Sequence, residues 1–140
     1  MRVVAFAPSL SAVYNDAGGV DTKGFPMTSC YVKSFPSQLT VPMVVAFYAL
    51  GGADYDPVRY IVATSPAGER VGSLEFGWHW DDNPPNPVKF RVLVQYLPMR
   101  VEAAGPYSIG LYDSLDATET DHLFPLPVLK TDPYIRTRTQ

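Results

Sequence analysis

The chain has 140 residues, 46% of them hydrophobic and 18% charged, enough for one domain with the apolar surface to offset chain entropy, so wholesale disorder is excluded. Eleven Lys and Arg against fourteen Asp and Glu leave a formal net charge of −3, which argues against a non-specific nucleic-acid binder, because phosphate neutralisation needs surplus cations. One cysteine cannot form an internal disulfide, and no apolar run approaches the roughly 20 residues of a helical membrane span; the expectation is a soluble, unexported, cytoplasmic protein without membrane insertion.

Fourteen prolines and ten glycines leave little room for an uninterrupted helical stretch, so few or no helices are expected. Strands are predicted at Arg2–Ala7, briefly at Ser11–Tyr14, at Met27–Ser34 and at Met43–Leu50, the last apolar on both faces as a central strand would be. Val58–Thr64 follows, and Ser65-Pro66-Ala67-Gly68 reads as a hairpin loop. Leu74, Phe76, Trp78 and Trp80 then alternate with Ser73, Glu75, Gly77 and His79, the pattern of a half-buried strand. Beyond a proline-rich loop, Val88, Phe90, Val92, Val94 and Tyr96 alternate with Lys89, Arg91, Leu93 and Gln95, and this strand is expected to pair with its predecessor as a hairpin.

Gly105-Pro106 opens a new element, with Tyr107, Ile109 and Leu111 on one face of Tyr107–Tyr112. In the last strand, Leu123–Leu129, Pro125 and Pro127 share parity and remove two N–H groups from one side, which predicts an edge strand. Seven or eight short strands with a turn about every ten residues indicate an all-β chain, an antiparallel β-sandwich of immunoglobulin-like or C2-like type, or a small barrel. The domain is expected over residues 1–129. Residues 130–140, with their local excess of positive charge, form a tail that either frays or docks as an arm on a neighbouring subunit.

Three stretches, Ser11-Ala-Val-Tyr-Asn-Asp-Ala-Gly-Gly, Phe35-Pro-Ser-Gln-Leu and Gly105-Pro-Tyr-Ser-Ile-Gly-Leu-Tyr-Asp113, together with the Pro66-Ala67-Gly68 turn, resemble an uncharacterised bacterial β-sandwich domain family. That resemblance implies a fold and no chemistry, since the family's members are of unknown function.

The common signatures of nucleophile elbows, phosphate-binding loops, zinc proteases and dinucleotide sites are missing, so no catalytic residue is assigned and a non-enzymatic role is expected. Cys30 reads as a small strand hydrophobe. His79 and His122 stand at no recognised zinc-ligand spacing, and a hydrolase built on Asp81, Asp121 and His79 has only proximity in its favour. Trp78 and Trp80, with His79, form either a ligand platform on which a sugar ring could stack or, by their parity with Leu74 and Phe76, the end of a core face.

The acids are the most informative group. If each strand from Met43 onward reverses direction, the loops Gly51–Pro57, Asp81–Pro87 and Asp113–His122 share one pole and hold eight of the fourteen acids and no Lys or Arg. Asp54, Asp56, Asp81, Asp82, Asp113 and Asp116 are therefore the candidate cation ligands, with calcium the natural guest because it accepts many oxygens at relaxed geometry; the plain alternative is a solvated acidic rim. No other cofactor is expected. Taken together, these features indicate a module that binds a protein partner or forms a homo-oligomer, as in a virion or other assembly; the alternative is a cation- or carbohydrate-binding module.

Overall fold

Proline or glycine stands in most connections, and the stretches between them are rich in β-branched and aromatic residues, which favour a pleated, half-buried surface. A computed structural model describes residues 1–52, 55–81 and 85–132, and among these there are ten strands and no helix. They are β1 (Arg2–Pro8), β2 (Ser11–Tyr14), β3 (Val20–Lys23), β4 (Cys30–Val32), β5 (Ser37–Leu50), β6 (Val58–Thr64), β7 (Arg70–Gly77), β8 (Val88–Val101), β9 (Gly105–Tyr112) and β10 (Leu123–Lys130). The chain is all-β, with a three-stranded sheet ordered β1-β5-β8, a five-stranded sheet ordered β4-β10-β9-β6-β7 and a separate β2-β3 hairpin.

The two larger sheets contribute to one core, an arrangement consistent with a β-sandwich. Val41, Met43, Val45, Phe47 and Ala49 of β5 and Leu97, Met99 and Val101 of β8 meet Ile61, Phe76, Ile109, Leu111, Leu126 and Val128 of the other sheet. Tyr107 is buried among them with its hydroxyl satisfied, donating to Ala103 O at 2.8 Å. Removing that much apolar surface from water, at roughly 25 cal/mol per Å², is the main force holding the sheets together.

The β2-β3 hairpin was half legible. Asn15 closes its turn, its Oδ1 accepting from Ala17 N at 3.0 Å and Gly19 N at 3.1 Å, and the polar strand Val20–Lys23, too short and charged to read as a strand, pairs with Ser11–Tyr14. Ala12 and Val20 lie over Val44, Val92 and Val94, so the hairpin covers part of the outer face of the three-stranded sheet. The buried Ser9 fastens its base, with Oγ 2.8 Å from Ser11 O and 2.9 Å from Lys23 O. Its tip is fastened by Tyr14, whose hydroxyl accepts from Val94 N at 2.7 Å on the side of β8 away from β5. Tyr14→Phe is expected to cost about 1 kcal/mol, since it leaves a partly buried backbone donor unpaired. Hydrogen exchange at the Val94 amide should accelerate selectively; an unchanged rate would mean that the hydroxyl does not hold this edge.

Several expectations need correction. There are ten strands among the described residues, not seven or eight. The strands before and after the proline-rich loop do not form a hairpin: β7 pairs with β6 and β8 with β5, so the connection crosses from one sheet to the other. The core face of β8 is the odd one, because Leu97, Met99 and Val101 are buried there while Phe90 and Tyr96 stay exposed on the even face. The strand Met43–Leu50 begins at Ser37; Pro42 is tolerated within it because it lies past the last β1 partner, Met43, where β5 is paired only with β8.

The last strand is not an edge. β9 pairs along Leu123–Val128, while β4 adds three parallel residues on the other side at Val128, Leu129 and Lys130. The parity argument still holds locally, since Pro125 and Pro127 occupy the stretch that has only β9 beside it. The pairing of β10 continues past residue 129: Lys130 pairs with Val32, and Thr131 N donates to Val32 O at 2.8 Å. The rest of the expected tail, residues 133–140, lies outside the described residues.

Candidate functional site

Because β5, β7 and β9 end where β6, β8 and β10 begin, the connections 51–57, 78–87 and 113–122 leave the two sheets at one pole. Short contacts tie the first two together: Trp80 N donates to Tyr55 O at 2.9 Å, and Gly51 N to Pro87 O at 2.9 Å. The antiparallel zigzag read from the sequence thus brings the acid-bearing loops to a common end. The same end also receives cations that lie outside the loops. Arg2 of β1 is opposite Tyr48 near the top of β5, Arg59 is the second residue of β6, and Lys89 and Arg91 open β8.

Those cations are the residues that reading the loops alone misses, and parity was the available signal. Arg59 shares a face with the buried Ile61 and Ala63, so it points between the sheets at the end of its strand. Its Nε lies 3.2 Å from Asp113 Oδ1, and its Nη1 donates to Val58 O at 2.7 Å. With Asp113 largely exposed, this ion pair contributes roughly 0–1 kcal/mol and serves mainly to orient the arginine.

The candidate cation ligands are divided. Asp54 and Asp82 lie outside the described residues. Asp56 faces His79, with Oδ1 2.5 Å from Nδ1. Asp113 faces Arg59. Asp116 belongs to a part of the loop that leans over the outer face of the five-stranded sheet, where Arg70 Nη2 donates to Leu115 O at 2.7 Å. There the Tyr60 hydroxyl is raised above its ordinary range, chiefly by donating at 2.9 Å to Glu75, then by partial desolvation and by the negative charges of Glu75 and Asp116. Asp81 borders a smaller cleft of about 310 Å³ with His79, Trp80 and Lys89. Among the described residues no three His, Cys, Asp or Glu side chains converge as a metal-ligand set.

The ligand platform is also taken apart. Trp78 is 9% exposed and Trp80 2% exposed, so neither ring offers a face to a sugar. Trp78 stacks on Phe47 at 4.6 Å and on Phe76 at 6.0 Å, and meets Trp80 edge-on at 5.8 Å. Their parity with Leu74 and Phe76 carries them into the core, beyond the end of β7 at Gly77. His79, of opposite parity, is exposed, and its carbonyl accepts from Arg91 Nη2 at 3.1 Å. His79 and Asp121 line different clefts, so the hydrolase grouping of Asp81, Asp121 and His79 is not assembled. Burial raises the Cys30 thiol above its ordinary range, which disfavours the reactive thiolate.

The larger concavity at this pole is a cleft of about 600 Å³ where the two sheets part. Val3, Phe47 and Leu111 form an apolar floor, Arg2 and Arg59 stand on the strand walls, and Asp113, Glu119, Asp121 and His122 come from the β9–β10 connection. That connection is pinned where it returns to β10. Thr120 Oγ1 donates to Leu111 O and accepts from His122 N, and Leu111 N donates to His122 O at 3.0 Å. Glu119 and Asp121 flank Thr120 and are exposed at the mouth. The cleft can receive an extended segment that has apolar side chains for the floor and positive charge for the rim.

Neither a family model nor a curated protein matches the chain. The geometry above therefore carries the functional reading by itself.

Proposed function

We propose that this chain is a non-enzymatic β-sandwich module, immunoglobulin-like or C2-like, that assembles with a second copy of itself. One observation carries this reading. On the outer face of the three-stranded sheet, above the part covered by the β2-β3 hairpin, Leu50 pairs with Val88 and Tyr48 with Phe90, all four on one side by parity. Leu50 is 69% exposed and Phe90 67%, with the rings of Phe90 and Tyr48 6.1 Å apart. Isolated exposed apolar residues need no explanation, but contiguous ones mark contact surfaces. A contiguous apolar patch can be its own complement across a two-fold axis, which favours a second copy as the occupant.

Light scattering over a range of concentrations tests this. The mass should rise with concentration, and Leu50→Asp with Phe90→Asp should weaken association by at least about tenfold with an unchanged circular dichroism spectrum, because each substitution puts a carboxylate into an apolar contact. A wild-type chain that stays monomeric at the highest concentration overturns self-assembly and leaves a foreign protein as the partner.

A further inference from the structure

The cleft between the sheets and Asp132, where the described chain ends, lie at opposite ends of the molecule. β10 starts beside the acidic pole at Leu123 and runs away from it, so the chain passes Thr131 and Asp132 at the far end. The next residues, Pro133-Tyr134-Ile135-Arg136-Thr137-Arg138-Thr139-Gln140, hold two apolar side chains, two arginines and no acid. That composition complements an apolar floor of Val3, Phe47 and Leu111 beneath a rim of Asp113, Glu119 and Asp121. Arg59 already faces Asp113, and Glu119 and Asp121 form no ion pair among the described residues.

Reach decides between a contact within one chain and a contact between two. Arg138 is six residues past Asp132 and can lie at most about 20 Å from it. The eight residues of β10 alone rise about 25 Å toward the pole, and Asp121 and Glu119 lie beyond its first residue. The segment therefore falls short of the cleft of its own chain.

We propose that the cleft between the sheets at the acidic pole receives residues 133–140 of a second copy of this chain, head to tail. In an extended segment Tyr134, Arg136 and Arg138 share one side, the two arginines meeting the carboxylates of the rim, while Ile135 on the other side supplies apolar surface for the floor. The contact is heterologous, so repeated copies build a ring or a filament rather than stopping at a two-fold dimer. The proposal rests on the self-assembly reading and adds a second surface to it.

A charge exchange tests it in the full chain. One variant carries Arg136→Glu with Arg138→Glu, and the other carries Glu119→Arg with Asp121→Arg, all at exposed cleft positions or beyond Asp132, with circular dichroism verifying the fold. Each variant alone should associate at least about tenfold more weakly than the wild type, the effect of two opposed charge pairs. An equimolar mixture should recover association, because each altered surface then finds its complement on the other chain. Wild-type assembly that survives both reversals, or an assembly lost in each variant and not recovered in the mixture, overturns the tail contact while leaving self-assembly standing. A strictly monomeric wild type overturns both.

Discussion

Trp80→Ala is expected to lower the stability of the chain by about 3–5 kcal/mol, the range for deleting a buried aromatic ring where the surroundings cannot collapse. The surroundings here are held from three sides. The ring meets Trp78 edge-on, its Nε1 donates to Met1 Sδ at 3.4 Å, and its backbone N–H is tied to Tyr55 O, so neither the first strand nor the β5–β6 connection can move in freely. Against a total of about 5–15 kcal/mol for a typical domain, this is a third or more of the margin. Urea denaturation should show the midpoint moving with little change in slope, and Trp80→Phe should recover at least half of the loss. A cost below about 1 kcal/mol would place the ring at the surface and revive its role as a ligand platform.

The second large effect is expected at Gly72, for a reason unrelated to backbone conformation. β7 and β8 edge different sheets but approach each other there: a β-carbon on Gly72 would overlap Pro98 O and lie 3.0 Å from Met99 Cα. Both are backbone atoms of a strand paired with β5 through Thr40 and Leu39, so they cannot yield without moving the sheet. Gly72→Ala should cost about 3 kcal/mol or more, at the upper end of overpacking. Gly68 provides the contrast. It has φ 89° in the β6–β7 turn, with nothing within 4 Å of its added β-carbon, and Gly68→Ala should cost only about 1–2 kcal/mol, from the left-handed conformation alone. Thermal unfolding of the two variants side by side checks the order; if Gly68→Ala is the worse, the sheets do not meet at Gly72.

The site was legible in part, and the division follows the physics. Loop acids could be placed at one pole because alternating strand direction is a consequence of short turns. The cations beside them could not, because Arg2, Arg59 and Arg91 sit on strands, and only the packing of the two sheets brings strand ends together. Trp78 and Trp80 left two readings open, and burial against Phe47, a residue of the opposite sheet, decided between them. Asp116 was grouped with the polar acids because sequence order could not show that its loop bends over Tyr60.

By itself, the sequence determined an all-β chain with a turn at Ser65–Gly68, a core face at Leu74 and Phe76, and strands that reverse at short intervals. These are local consequences of period-two alternation and of what proline and glycine do to the backbone. Which strands are neighbours, and which face of β8 looks inward, was decided only by the tertiary structure. Both faces of that strand carry valine, leucine or phenylalanine, and alternation looks the same from either side. The choice fell to surfaces distant in sequence: the five-stranded sheet that covers Leu97 and Met99, and the Ser11–Lys23 hairpin that covers Val92 and Val94 and leaves Phe90 in the open.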